Sequence, residues 1–163
     1  MEVRKEIRVA GIVQGVGFRP YVYRLATDRK LSGSIRNTPA GVTIQVQGPA
    51  GLVDDFVSRL PAEAPVLARI TGVVIRELPC DAERDFLIES SRRGERVRTL
   101  ISPDVAVCDD CLRELFDRRD RRYLYPFINC TNCGPRFTII RDIPYDRPRT
   151  SMAGFPMCAR CLA

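Results

Sequence analysis

The chain has 163 residues, 45% hydrophobic and 28% charged, the balance of a globular protein rather than a disordered one. It contains no histidine, which excludes Ser-His-Asp triads, Cys-His pairs and His-ligated metals within it. The net charge of +6 is carried by 24 arginines against 2 lysines, a bias that suits phosphates or nucleic acid unless most of the arginines simply solvate the surface.

Alternating apolar and polar or small residues predict a half-buried strand over 6–13. Gly15 and Gly17 punctuate its end, and Pro20 falls where a first helical turn accepts proline. Phe18, Val22, Leu25 and Ala26 then recur at helical spacing through about Lys30. Segments 34–37 and 42–47 read as paired strands around the turn Thr38-Pro39-Ala40-Gly41. Leu52, Phe56, Val57 and Leu60 form a second helical stripe ended by Pro61, and strands follow over 70–78 and 86–89. This order predicts an α+β fold of the ferredoxin-like βαββαβ type, an antiparallel sheet with both helices on one face, filling residues 1–91. Residues 92–99 are charged and lack apolar periodicity, so 92–106 is the expected linker. The N-terminus is charged and runs into the first strand, and no apolar stretch approaches the ~20 residues of a bilayer span. A cytoplasmic protein without membrane association is expected.

Cysteine marks the remainder, 107–163. Six of the seven cysteines fall in three Cys-x-x-Cys pairs: Cys108 with Cys111, Cys130 with Cys133, and Cys158 with Cys161. Cys80 stands alone. Paired thiols without a secretion signal point to metal rather than disulfides. The first two pairs lie 18 residues apart, a spacing that lets four thiolates close a tetrahedron. Such a closed site is structural, and zinc is the expected ion; iron in a rubredoxin-like site is the alternative, but nothing else points to electron transfer. Cys158 and Cys161 supply two further metal ligands with no partner pair before Ala163, so the second finger is expected to be truncated. The run Arg118-Arg119-Asp120-Arg121-Arg122 between the first two pairs could mean a zinc ribbon that binds nucleic acid beside a non-catalytic α/β domain. Because Asp109, Asp110, Glu114, Asp117 and Asp120 interleave the basic residues, a solvated helix face is the preferred reading.

The strand-to-helix passage Val13-Gln14-Gly15-Val16-Gly17-Phe18-Arg19-Pro20 can turn its backbone N–H groups inward as an anion nest at the positive end of a helix dipole, with Arg19 adding a guanidinium. It is neither a Walker A loop nor a dinucleotide fingerprint, since no Gly-Lys-Ser/Thr follows and Pro20 stands at the third glycine position. By spacing alone, a tight turn carrying a surface arginine accounts for it equally well.

Gly11 to Arg19, Gly-Ile-Val-Gln-Gly-Val-Gly-Phe-Arg, resembles the signature of the acylphosphatase family, and Ile35-Arg36-Asn37-Thr38 with Gly41 and Gln45-Val46-Gln47-Gly48 resembles its second motif. The resemblance implies a ferredoxin-like fold that hydrolyses carboxyl- or carbamoyl-phosphate anhydrides. Gln14, Gly15, Val16, Gly17, Phe18 and Arg19 would bind the phosphate, and Asn37 would hold the attacking water; taken alone, Asn37 reads better as a turn residue before Pro39, and its pairing with the loop at the family's spacing favours the catalytic role. Together with Ser102-Pro103-Asp104, Cys108-Asp-Asp-Cys111, the run from Tyr125 through Cys130 and Cys133 to Thr138, and Pro144-Tyr-Asp-Arg-Pro148, the whole chain resembles the HypF-type carbamoyltransferases of nickel–iron hydrogenase maturation. That resemblance implies cleavage of carbamoyl phosphate to carbamate, then ATP-dependent transfer by further domains to a partner maturation protein, and two four-cysteine fingers of which this chain is expected to hold the first complete.

Overall fold

The computed structural model describes residues 1–90, 104–128, 130, 133–134, 137–143, 145–155 and 159. Most of the expected linker lies outside the described residues, as do two of the expected metal ligands, Cys158 and Cys161.

The first domain has the expected ferredoxin-like order. Strand β1 (Glu2–Ile12) leads to helix α1 (Phe18–Thr27), then β2 (Ser32–Thr38), β3 (Gly41–Pro49), helix α2 (Ala50–Ala62) and β4 (Arg69–Leu78). Strands β1, β3, β2 and β4 pair antiparallel throughout, and the sheet order β4-β1-β3-β2 is that of two interleaved split βαβ units. Ile7, Val9, Ile35, Val42, Ile44 and Val46 face the helices, which answer with Phe18, Val22, Leu25, Val53, Phe56 and Leu60, all buried. Each of the larger side chains so enclosed contributes about 1.5–3 kcal/mol of burial free energy. Proline does not stop α2 where expected. Pro61 lies inside the last turn and the helix closes one residue later at Ala62, because a missing N–H so near the end removes only a terminal bond.

A fifth strand, β5 (Phe86–Ile88), extends the four-stranded sheet. It pairs parallel to β2 on the sheet edge opposite β4. The connection must therefore cross the helix-free face, and polar contacts hold it there. Gln47 exchanges two hydrogen bonds with the Asp81 backbone, donating to its carbonyl at 3.0 Å and accepting from its N–H at 2.8 Å. Arg4 pairs with both Asp81 and Glu83. This crossing covers Gln47, which would otherwise face water.

The finger region contains helix α3 (Asp109–Phe116), whose Asp109 and Asp110 sit favourably in the first turn. Among the described residues its core is Cys111, Ile128 and Cys133, with Val105, Cys108, Leu115 and Cys130 packed against them. Residues 118–122, expected as a helix face, form turns and a bend. Asp117 and Asp120 accept hydrogen bonds from the backbone N–H two residues on, at Arg119 and Arg122, and this local bonding competes with helix continuation. Glu114 pairs with Arg122 and Asp110 with Arg113, so two of the interleaved acids neutralise neighbouring arginines.

Candidate functional site

Gly15 and Gly17 both have positive φ, 73° and 76°, and Gly17 is the left-handed N-cap of α1 with no side-chain cap. With no acidic residue in the first turn, the leading N–H groups of α1 are left for an anion. Val16 and Phe18 bury their side chains in the core, so they can serve a bound group only through their backbone. Gln14 is buried and acts as a clamp. Its Nε2 donates to the carbonyls of Thr38 at 2.7 Å and Gly41 at 2.8 Å, tying the loop to the β2–β3 turn. This tie sets the loop beside Asn37, one residue earlier on β2.

Arg19 and Asn37, 18 residues apart in sequence, converge on one atom. The backbone carbonyl oxygen of Tyr145 accepts from Asn37 Nδ2 at 3.4 Å and from Arg19 Nη2 at 3.5 Å. Asn37 is fully buried, and its Oδ1 has no hydrogen-bond partner among the described residues. An acceptor left alone in a buried place is costly, about 1–3 kcal/mol, unless a ligand or water completes it.

No feature of the sequence signals that the finger region reaches this site. The Tyr145 N–H donates to Gln14 Oε1 at 3.0 Å, and Asp146 Oδ1 accepts from Arg19 Nη2 at 2.8 Å. Gly134, with φ 69°, lies against the same loop: a Cβ there would stand 2.7 Å from the Gly15 carbonyl oxygen. The motif around Tyr145 is legible as text, but only the docked structure shows where it goes.

The second constellation is the thiol cluster. Sγ atoms of Cys108, Cys111, Cys130 and Cys133 all lie within 4.8 Å of one another. Cys108–Cys130, Cys111–Cys133 and Cys130–Cys133 are separated by 3.5, 3.8 and 3.9 Å. A tetrahedral ion with metal–sulfur bonds of ~2.3 Å requires sulfur–sulfur edges of roughly 3.8 Å, so the donor set fits zinc. The knuckle supports it, with Cys130 N–H donating to Cys133 Sγ at 3.3 Å and Gly134 N–H to the Cys130 carbonyl at 2.9 Å. Burial pushes the Cys111 thiol up, and the three neighbouring sulfurs push it further. At Cys133 burial also pushes up, but hydrogen bonds from the backbone of Cys130 and Cys108 and from the other sulfurs outweigh it and bring the thiol down to about 7.

Of the six expected metal-ligating cysteines, the four among the described residues gather in this cluster. The other two, Cys158 and Cys161, lie outside the described residues. Cys108, Cys111, Cys130 and Cys133 are enough to close one tetrahedral thiolate site.

A ferredoxin-like sheet whose first strand-to-helix loop meets a β2 asparagine, joined to a four-thiolate knuckle, defines an acylphosphatase-type domain with an appended finger. The acylphosphatase family model matches residues 5–88 and the HypF finger model residues 107–140, and the chain belongs to the acylphosphatase family. The acylphosphatase of Chlorobaculum tepidum is 40% identical over 89 residues, which cover 96% of that protein and 53% of this chain. Along nearly its full length the chain is homologous to HypF carbamoyltransferases: it is 53% identical to carbamoyltransferase HypF2 of Cupriavidus necator over 96% of the chain and 20% of that protein. The crystal structure of full-length HypF in the phosphate- and nucleotide-bound form superposes with TM-score 0.93 at 47% identity, covering 99% of this chain and 21% of that one. The chain thus spans about a fifth of the length of these relatives.

Proposed function

We propose that the chain hydrolyses carbamoyl phosphate to carbamate and phosphate, the first step of carbamoyl transfer toward the cyanide ligand of nickel–iron hydrogenase. The observation that carries this reading is the convergence of Arg19 and Asn37 at the uncapped N-terminus of α1, with Asn37 Oδ1 buried and unpartnered among the described residues. The phosphoryl group would sit on the loop N–H groups of 14–19 and on the Arg19 guanidinium. A water accepted by Asn37 Oδ1 would attack phosphorus as the bridging P–O bond breaks. Carbamate leaves, and the water's proton passes to a phosphoryl oxygen. An acyl phosphate already carries a good leaving group, so positioning and charge stabilisation suffice without a histidine or a metal at phosphorus.

Zinc held by Cys108, Cys111, Cys130 and Cys133 has a structural role in this reading, since a closed four-thiolate site leaves no open coordination position. Residues 1–91 form the hydrolytic domain, 92–106 the linker and 107–163 the finger region, in a cytoplasmic protein. Cys158 and Cys161 would serve as half of a second finger. Activation of carbamate with ATP and its delivery to a maturation partner would fall to chain corresponding to the rest of the relatives' length.

The test is phosphate release from carbamoyl phosphate without ATP, corrected for spontaneous decay. Release is expected from the wild-type chain and is expected to fall at least about 100-fold in Arg19→Ala, the scale of losing one charged stabiliser of the transition state. Release equal in both proteins would overturn the reading.

A further inference from the structure

The carboxylate of Asp146 stands where a phosphoryl group would seek Arg19. It accepts from Nη2 at 2.8 Å, and the pair is largely enclosed, with side chains 23% and 25% exposed. The segment is seated rather than passing by. Tyr145 is fixed on both sides of its peptide, the N–H to Gln14 Oε1 and the carbonyl to Asn37 and Arg19, and Gly134 is pressed against Gly15. Every one of these contacts falls on a residue of the loop or on the β2 asparagine. A phosphoryl oxygen approaching the same nitrogen would meet a fixed negative charge in a part-buried place, where screening by salt is weak.

We propose that Asp146 is an affinity-determining residue of the acyl-phosphate site: the finger region's own anion, which holds Arg19 while the site is empty and which the phosphoryl group of the ligand displaces. The inference rests on the phosphoryl subsite assigned above. Because anion and carboxylate compete for one guanidinium, binding of a phosphoryl group loosens the Tyr145–Asp146 segment, and seating of that segment weakens the binding of phosphoryl anions by the same factor. The acyl-phosphate site of this chain is therefore made by two regions, and its affinity is set by the second.

Calorimetric titration of the zinc-loaded 163-residue chain with inorganic phosphate tests this, with Asp146→Asn, Asp146→Ala and Arg19→Ala measured alongside. Asp146→Asn keeps the shape of the side chain and removes only the charge; zinc content per chain reports that the finger remains folded. Phosphate is expected to bind both Asp146 variants on the order of tenfold more tightly than wild type, the size of one unit-charge repulsion at short range in a part-screened site, and Arg19→Ala is expected to lose binding. Unchanged or weaker binding by Asp146→Asn, with wild-type binding still dependent on Arg19, would overturn the inference and leave the hydrolytic reading standing. Binding that is indifferent to Arg19, or absent from wild type and Asp146 variants alike, would overturn the subsite and the inference with it.

Discussion

Asn37 Oδ1 is held in the interior with no donor to meet it among the described residues, while Nδ2 of the same side chain is oriented by the Tyr145 carbonyl. An amide so divided offers its oxygen to one small donor, which is what positioning a water requires. Asn37→Ala is expected to lower carbamoyl phosphate hydrolysis by about 100-fold with phosphate affinity within about threefold of wild type, because in the proposed site the anion contacts fall to the loop and Arg19. Steady-state kinetics beside phosphate titration separates the two; equal loss of both would place Asn37 in anion binding instead. Gly134 is constrained for two reasons at one position: positive φ in the knuckle and close approach to the Gly15 carbonyl. The neighbourhood of Cys130 and Cys133 is readable as a knuckle from sequence, whereas the contact with Gly15, 119 residues away, is not.

Among the elements, α1 and α2 are joined by a buried polar contact. The Tyr21 hydroxyl donates toward the carbonyls of Arg59, at 2.9 Å, and Leu60, at 3.2 Å, in the last turn of α2. Burial pushes this phenol up to about 12, Glu63 adds to the rise and Arg29 opposes it. A folded-state value above the unfolded one means that the protonated phenol stabilises the fold fully below about pH 10 and that this contribution is lost as pH rises toward 12. Urea unfolding across that window is expected to show a steeper loss of stability in wild type than in Tyr21→Phe, which cannot ionise; superimposable slopes would refute the assignment. The helical stripe that placed Phe56 at the centre of α2 is matched by its complete burial between Val53 and Leu60. Phe56→Ala is expected to cost about 3–5 kcal/mol in chemical denaturation. The strand stripes are as clear, but Phe86 to Ile88 can be read only as a strand, since a three-residue segment carries no indication of which edge it joins or in which direction.

On the scale of the whole molecule, two regions of unequal self-sufficiency are docked through the candidate site. The sheet domain has a core drawn from its strands and two helices, whereas the finger has only three buried hydrophobic residues among those described, two of them cysteines. Chelation of zinc is accordingly expected to unfold the finger while leaving the sheet domain intact, and it should also free Arg19 and the loop from Tyr145 and Asp146. Amide exchange followed before and after chelation would show protection lost in α3 and retained in β1 and β3; concerted loss in both would mean that the sheet domain depends on the finger. Sequence alone determined the local chemistry: apolar periods marked the strands and helices, glycine and proline the loop, and cysteine spacing the tetrad. All of these depend on residues a few positions apart, or on paired thiols at metal-ligand spacing. Tertiary structure alone decided that β5 crosses the sheet to the far edge and that Asp146 meets Arg19 across 127 positions of chain. Such contacts are fixed by how two surfaces fit and where their charges fall, and no periodicity along the chain records that.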